Sequence, residues 1–161
     1  IFTDLAIGQL AALGASISFG FFHGEFLYLW TLLFALLGAL FIAYGAHRRI
    51  HLEAYIGLLY VLGASGIMMV LAQSAEGMEH FKSLLANDIL FTSEEDLYKS
   101  SGIYAAIALV IYFLYPKMTG FVKELLFFSL LAVTVTSSVQ LAGVFVVFTL
   151  LIAPAMVASM P

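Results

Sequence analysis

The sequence predicts an all-α, polytopic transmembrane helical bundle, and three observations support this fold class. Hydrophobic residues make up 63% of the chain and charged residues only 10%, whereas roughly a quarter of a soluble domain is charged. Apolar stretches of about 20 residues or more recur along the chain, which is the length that a helix needs to cross a bilayer. No segment has the alternating pattern typical of a strand. We expect one domain over residues 1–161, with about five to six membrane segments.

Five apolar stretches are the candidate spans, and the first four each have the length of a single crossing. The fifth is about 34 residues long, which is too long for one simple span of about 20. Hydroxyl, amide, glycine and proline residues lie inside it, and membrane helices tolerate these types where they break or line a polar cavity. We therefore expect a broken last span, with a break near residues 137–140. The five stretches are residues 5–22, 26–46, 54–72, 97–115 and 125–158.

The charged residues between the stretches predict how the bundle is oriented. Arg48 and Arg49 follow the second stretch and Lys117 and Lys123 precede the fifth, whereas residues 73–96 are mainly acidic. Because Lys and Arg favour the cytoplasmic side of a membrane, we expect the basic segments inside and the acidic segment outside. The basic and acidic segments alternate, as expected for consecutive crossings.

The acidic outer segment contains a predicted helix and a candidate metal contact. Apolar residues recur at helical spacing over residues 76–90, so this part is expected to lie along the membrane surface or to pack on the bundle as an outer interfacial helix. Glu76, Glu79 and His80 are spaced i, i+3 and i+4, which brings their side chains to one face of that helix. Carboxylate and imidazole groups bind divalent metals, so these three are the candidate metal ligands. A solvated polar face is the alternative interpretation.

Two groups of uncharged polar residues lie inside the spans and are candidates for a translocation path. Gln9 lies among small residues of the first stretch, where its amide either lines a path or forms a structural hydrogen bond between helices. Ser137, Ser138 and Gln140 lie close together in the sequence. We favour a role in the translocation path for them, because a broken membrane helix must face protein or water. Small residues four apart favour a packed bundle or an oligomer; they are Gly8 with Ala12, Ala11 with Ala15, and Ala39 with Ala43.

Enzymatic and nucleic-acid functions find little support in the residues. The chain has no cysteine, which excludes thiolate metal sites and cysteine nucleophiles. It has no GxxxxGK[ST] loop, so it cannot hydrolyse a nucleotide in the usual P-loop manner. The serine in GASG, residues 63–66, has no histidine within a span to act as its base. Six basic residues scattered over the chain argue against nucleic-acid binding.

Three segments of the sequence carry a resemblance to a known family. Residues 137–159, SSVQLAGVFVVFTLLIAPAMVAS, resemble a block in which glycine precedes an aliphatic run that ends in proline and alanines. Residues 53–97 resemble a region in which a helix beginning with IG leads to a loop with an acidic residue before the next span. Residues 4–19 resemble the helix that opens the conserved core. Together they are similar to the membrane permease subunit of the ATP-binding-cassette transporters that take up zinc, manganese and iron.

The resemblance implies a permease in the cytoplasmic (inner) membrane that passes one of these metals or a metal complex, without a catalytic site or a bound cofactor of its own. It implies three protein partners: an ATPase subunit that uses ATP, an extracytoplasmic solute-binding protein, and a second permease copy that completes a homodimer. Permeases of this family are usually longer, so we expect that amino-terminal spans precede the present chain. Membrane lipid is the remaining partner.

Two features of the family pattern differ in this sequence: the pair of metal contacts and the docking segment. The family's aspartate and histidine metal contacts correspond here to Leu5 and Gln9, and Asp4 is one residue out of register. The ATPase-docking segment corresponds to residues 115–126 and is short. The docking residues expected within it are Thr119, Lys123 and Glu124.

Two other function classes stay open. A stand-alone secondary transporter or channel would need ionisable groups deep in the bundle, where the spans offer only uncharged polar residues. A non-transporting intramembrane accessory protein is the second alternative. A neighbouring gene for an ATPase with a P-loop would favour the permease over both.

Overall fold

The computed structural model describes residues 2–48, 51–85 and 93–158, and in these ranges the protein consists of helices without a strand. The helices are α1 (Phe2–Phe21), α2 (Leu27–His47), α3 (Leu52–Leu71), α4 (Ala75–Leu85), α5 (Glu94–Phe113), α6 (Gly120–Ala142) and α7 (Val144–Ala158). A short 3-10 turn, Tyr115–Lys117, links α5 to α6. Helices α1, α2, α3, α5 and α6 are long and apolar enough to cross a membrane, which confirms the predicted all-α polytopic bundle.

The beginning of α5 shows how local chemistry sets a helix boundary. Ser93 precedes the helix, and its Oγ accepts a hydrogen bond from the backbone N–H of Asp96 at 3.2 Å. Three acidic residues occupy the first turn, where negative charge is favoured by the positive end of the helix dipole. The fourth span therefore begins at Glu94, three residues before the predicted boundary.

Two predicted features fall partly outside the described residues. The outer helix predicted over residues 76–90 is α4, which the structure describes from Ala75 to Leu85, and residues 86–90 lie outside the described ranges. Arg49, one of the basic residues used for the orientation, also lies outside them.

The last span is broken as predicted, but the predicted position of the break is wrong. Helix α6 runs without interruption through residues 137–140 and ends at Ala142. The break is at Gly143, which has a φ of 79°, a conformation that glycine adopts without steric cost. Hydroxyl residues need not break a membrane helix, because their polar groups can find acceptors within it. In α6, Thr134 Oγ1 donates to the carbonyl oxygen of Leu130 at 2.9 Å.

The predicted start of the last span also needs correction. The resemblance implies a docking segment over residues 115–126, and the apolar pattern predicts that the span begins at residue 125. The structure begins α6 at Gly120, directly after the extended backbone of Thr119. Lys123 and Glu124 therefore lie in the first turns of α6. Charged residues are tolerated there because a long side chain near the end of a membrane helix can extend its polar group toward the interface.

Helix α1 lies at the centre of the bundle and contacts α2, α3, α4, α6 and α7. Small residues let the backbones of α1 and its neighbours approach closely. In lipid, where helices have no hydrophobic drive to associate, this close packing supplies the attraction between them. A Cβ added to Gly14 would collide with the carbonyl oxygen of Trp30, so the α1 and α2 backbones touch there. Gly63 of α3 packs closely on Gln9. The predicted small pairs are all buried, which confirms their packing role: Gly8, Ala11, Ala12, Ala15, Ala39 and Ala43.

Helix α4 packs on the bundle, which resolves the two alternatives predicted for the outer helix. Phe81 is buried in a hydrophobic cluster with Ala15 of α1 and Leu71 of α3. A Cβ added to Gly77 would lie 3.3 Å from the Cα of Gly20. The apolar side of α4 therefore contacts the carboxy-terminal end of α1, and its charged side chains remain exposed.

Candidate functional site

Helix α6 has two faces of different chemistry. Its apolar residues Ala132, Val135, Val139 and Ala142 belong to the same buried cluster as residues of α1 and α2. Its hydroxyl residues include Ser137 and Ser138, which contact α5 instead. The helix thus joins the central packing of the bundle to a polar contact with α5.

We call the polar contact between α5 and α6 the polar seam, and it consists of Ser100, Tyr104, Ser137 and Ser138. The Tyr104 hydroxyl and Ser138 Oγ are 2.8 Å apart and share a hydrogen bond in which either group can donate. Ser137 Oγ donates to Ser100 Oγ at 3.4 Å. Ser100 and Ser137 are both buried. The seam therefore joins two of the predicted path residues to two residues of the neighbouring helix.

Sequence reasoning missed the α5 side of the seam. Ser100 and Tyr104 lie inside a predicted span, and their separation of four residues places them on one face of a helix. This pair of polar residues four apart within an apolar stretch is the sequence signal that could have identified the α5 side of the seam.

Two further polar residues of α6 lie close to the seam. Thr136 is completely buried, and its Oγ1 makes no hydrogen bond within the part of the chain that the structure describes. Gln140, the third predicted path residue of α6, is partly buried and makes an interaction of its own. A buried hydroxyl without a partner can still form a hydrogen bond. The Thr136 hydroxyl is therefore a polar group of α6 beyond those of the seam.

Gln9 is not part of the seam. It lies on α1 at the contact with α3, where a Cβ added to Gly63 would be 3.2 Å from the Gln9 Cγ. The structure therefore brings Ser137 and Ser138 together with α5 and leaves Gln9 on a different helix contact. Whether Gln9 lines a path stays a prediction.

The predicted metal ligands Glu76, Glu79 and His80 all have exposed side chains on α4. The His80 ring stacks on Phe19, with ring centroids 5.8 Å apart and planes inclined by 17°. Among the described residues, no three His, Asp or Glu side chains are grouped closely enough to hold a metal ion. A transient contact with a passing cation stays a prediction for this group.

The predicted docking residues lie where the amino-terminal end of α6 meets the carboxy-terminal end of α2. Lys123 Nζ is 4.6 Å from the centre of the Tyr115 ring. Glu124 Oε2 is 3.9 Å from His47 Nδ1, and it makes no hydrogen bond among the described residues. The His47 ring also meets the Phe121 ring edge to face at 5.4 Å. This end of α6 is therefore in contact with both α2 and the turn that follows α5.

Comparison with known proteins relates the carboxy-terminal helices to a transport family. No curated protein and no solved structure matches the chain significantly. Residues 120–160, roughly a quarter of the chain, match the model of the ABC 3 transport family. The match begins at the first residue of α6 and includes Ser137 and Ser138 of the polar seam and the described part of α7. The segment that forms one side of the seam is thus the segment similar to an ABC-type transport family.

Proposed function

We propose that this chain is the membrane-spanning permease subunit of an ATP-binding-cassette importer whose substrate is zinc, manganese, iron or a complex of such a metal. The observation that supports the proposal most strongly is the family match over residues 120–160. The five membrane-capable helices are consistent with it. A separate ATPase subunit supplies the energy, a solute-binding protein delivers the substrate outside, and a second permease copy completes the assembly in the cytoplasmic membrane.

The proposed path follows the polar side of α6, with Ser137, Ser138 and Gln140 along it and Gln9 as a contact on α1. These groups are neutral hydroxyls and amides, which are weak ligands for a bare zinc ion. A hydrated or chelated metal fits them better, because its own water or chelator ligands can hydrogen-bond to the path. The metal ion here is the substrate and not a resident cofactor.

The proposed coupling to ATP uses the amino-terminal end of α6, at Thr119, Lys123 and Glu124. Ser137 lies seventeen positions after Gly120 in one continuous helix, a distance of about 26 Å at 1.5 Å per residue. A displacement imposed on this end by an ATPase would therefore be carried along a rigid helix to the polar seam. This continuous helix supports a docking role for Thr119, Lys123 and Glu124.

Reconstitution tests the energy source. The full-length protein is placed in liposomes with and without its ATPase subunit, and uptake of radioactive zinc or manganese is measured. We expect uptake only with the ATPase and ATP, because the chain has no phosphate-binding loop. An ATPase whose P-loop lysine is replaced by alanine is the control. Uptake by the chain alone under an ion gradient would support the secondary transporter instead, and no uptake under any condition would support the accessory protein.

A second experiment tests the contacts with substrate. Gln9→Ala should lower uptake by roughly two- to tenfold, the effect of one lost hydrogen bond. The double change Glu79→Ala with His80→Ala should lower it by more than about tenfold, because a carboxylate and an imidazole nitrogen are better ligands for a divalent metal than an amide. Glu25→Ala, a change at an exposed acidic residue, is the control. Normal uptake in the double variant beside abolished uptake in the Gln9 variant would refute the α4 contact.

A further inference from the structure

Helix α5 is attached to the bundle in a different way from the other spans. Only 6% of its most apolar stretch is buried, and Ser100 is its buried residue. The bulky residues Tyr98, Leu109 and Tyr112 are more than half exposed, at 78%, 58% and 75%. Apolar packing inside the protein therefore contributes little to the position of α5.

Hydrogen bonds hold α5 where apolar packing does not. The partly buried positions of α5 form one narrow stripe, which contains Ser100, Ile103, Tyr104 and Ile107. Within that stripe, Ser100 and Tyr104 are the residues that hydrogen-bond to α6, through Ser137 and Ser138. Both bonds lie within one helical turn of α5, so they act at a single place along the helix.

We propose that α5 is a movable gate over the hydroxyl face of α6, and that Ser100 and Tyr104 form the latch that keeps it closed. The proposal rests on the proposed function, since it assigns the gate of the same translocation path. In the closed state the seam satisfies the hydroxyl groups of Ser137 and Ser138. When α5 moves away, these hydroxyl groups become available to water and to the hydrated substrate.

The free energy expected of the hydrogen bonds between α5 and α6 is small enough for the two helices to separate. Hydrogen bonds between membrane helices contribute about 0.6 kcal/mol on average and at most about 1.7, which corresponds to roughly three- to twentyfold in an equilibrium. Two such bonds of average strength together favour the closed state by about eightfold, so the open state is not rare. Within the described chain, the exposed side of α5 has no protein contacts to lose when the helix moves.

The connection after α5 links the gate to the proposed docking end of α6. The turn Tyr115–Lys117 follows α5 directly. The Tyr115 ring contacts Lys123 at 4.6 Å and the Phe127 ring at 6.4 Å, both on α6. A movement of the amino-terminal end of α6 therefore acts on α5 through Tyr115 as well as on the seam.

Thiol labelling tests the latch without a transport measurement. The native chain has no cysteine, so Ser137→Cys introduces a single reporter at a position that is 4% exposed. A membrane-impermeant methanethiosulfonate reagent is added to membranes that contain the full-length protein, and its reaction rate is measured. We expect Tyr104→Phe to raise the rate by about three- to twentyfold, because it removes one bond of the latch.

The matched control is Tyr112→Phe, the same chemical change at an exposed tyrosine on the same helix. It should leave the rate unchanged, and size-exclusion chromatography should show that both variants fold. Equal rates in the two variants, or no reaction in Tyr104→Phe, would overturn the proposal.

A disulfide connects the latch to transport. In Ser100→Cys with Ser137→Cys, mild oxidation should join α5 to α6 and stop metal uptake in the liposomes, measured against the reduced form of the same variant. Uptake that continues after the disulfide forms would overturn the gate. If the unsubstituted protein shows no uptake at all, the proposed function fails, whereas the labelling difference still decides whether α5 opens.

Discussion

Helices α1 and α5 are both long enough to cross a membrane and have similar mean hydropathy, yet the protein uses them differently. In α1, 56% of the most apolar stretch is buried inside the protein, whereas in α5 the share is 6%. α1 contacts five other helices, and α5 contacts mainly α6 and its own following turn. Hydropathy therefore identifies a span without indicating how tightly the span is packed.

Small residues alone do not explain the difference. α5 also contains small residues, among them Gly102, Ala105 and Ala106, but all three are exposed. A Cβ added to Gly102 would meet no atom within 4 Å, whereas at Gly14 of α1 it would collide with the backbone of α2. What distinguishes α1 is that its small residues face other helices on several sides.

The largest expected effect is an all-or-none difference in labelling at the two ends of α5. Single cysteines in place of Glu94 and Lys117 should react with an impermeant thiol reagent from opposite sides of the membrane, Glu94 from outside and Lys117 from the cytoplasm. A cysteine in place of Glu25, which follows α1, should react from the same side as Glu94. Reaction at both ends of α5 from one side would show that α5 does not span, and the comparison with α1 would fail.

The next effect is on stability and compares two glycines. Gly14→Ala should lower the free energy of unfolding by about 3 kcal/mol, the upper end of the cost of overpacking, because the new Cβ meets the rigid backbone of Trp30. Gly102→Ala should change it by less than about 0.5 kcal/mol. Thermal unfolding of the full-length protein in detergent measures both. Equal destabilisation by the two changes would contradict the packing difference.

The smallest effect concerns apolar side chains in the same two helices. Ile7 is fully buried and Leu109 is 58% exposed. Ile7→Ala should cost about 1–2 kcal/mol, less than the 2–5 found in water-soluble cores, because lipid solvates an exposed apolar group almost as well as the protein interior does. Leu109→Ala should cost less than about 0.5 kcal/mol, measured by the same unfolding assay. A larger loss for Leu109→Ala would show that α5 is packed more tightly than the structure indicates.

The spans could be predicted from the sequence because the length and apolar character of a crossing are set by the bilayer itself. The second predicted stretch, residues 26–46, differs from α2 by one residue at each end. The break in the last span was predicted at hydroxyl residues, yet it occurs at Gly143. Serine and threonine can satisfy their polar groups within a continuous helix, whereas the positive φ of Gly143 needs a residue without a Cβ.

The candidate site was only half predictable, because one side of it depends on which helices become neighbours. Ser137 and Ser138 stood out as part of a polar cluster in an apolar run, but Tyr104 resembled an ordinary span residue. Its role became evident only from its 2.8 Å contact with Ser138. The two are 34 residues apart in sequence, and helical periodicity carries no information about partners at that separation.

The contact between α2 and α6 has a consequence for the order in which the protein assembles. α2 ends at His47 and its partner α6 begins at Gly120, so synthesis at 5–20 residues per second leaves about 4–15 s between the two. During that interval the surface of α2 that will receive α6 is without its native partner helix. α5 enters the bilayer in the meantime, and its few internal contacts mean that it can wait there without a partner. The nascent bundle is therefore most open to wrong helix pairing just before α6 arrives.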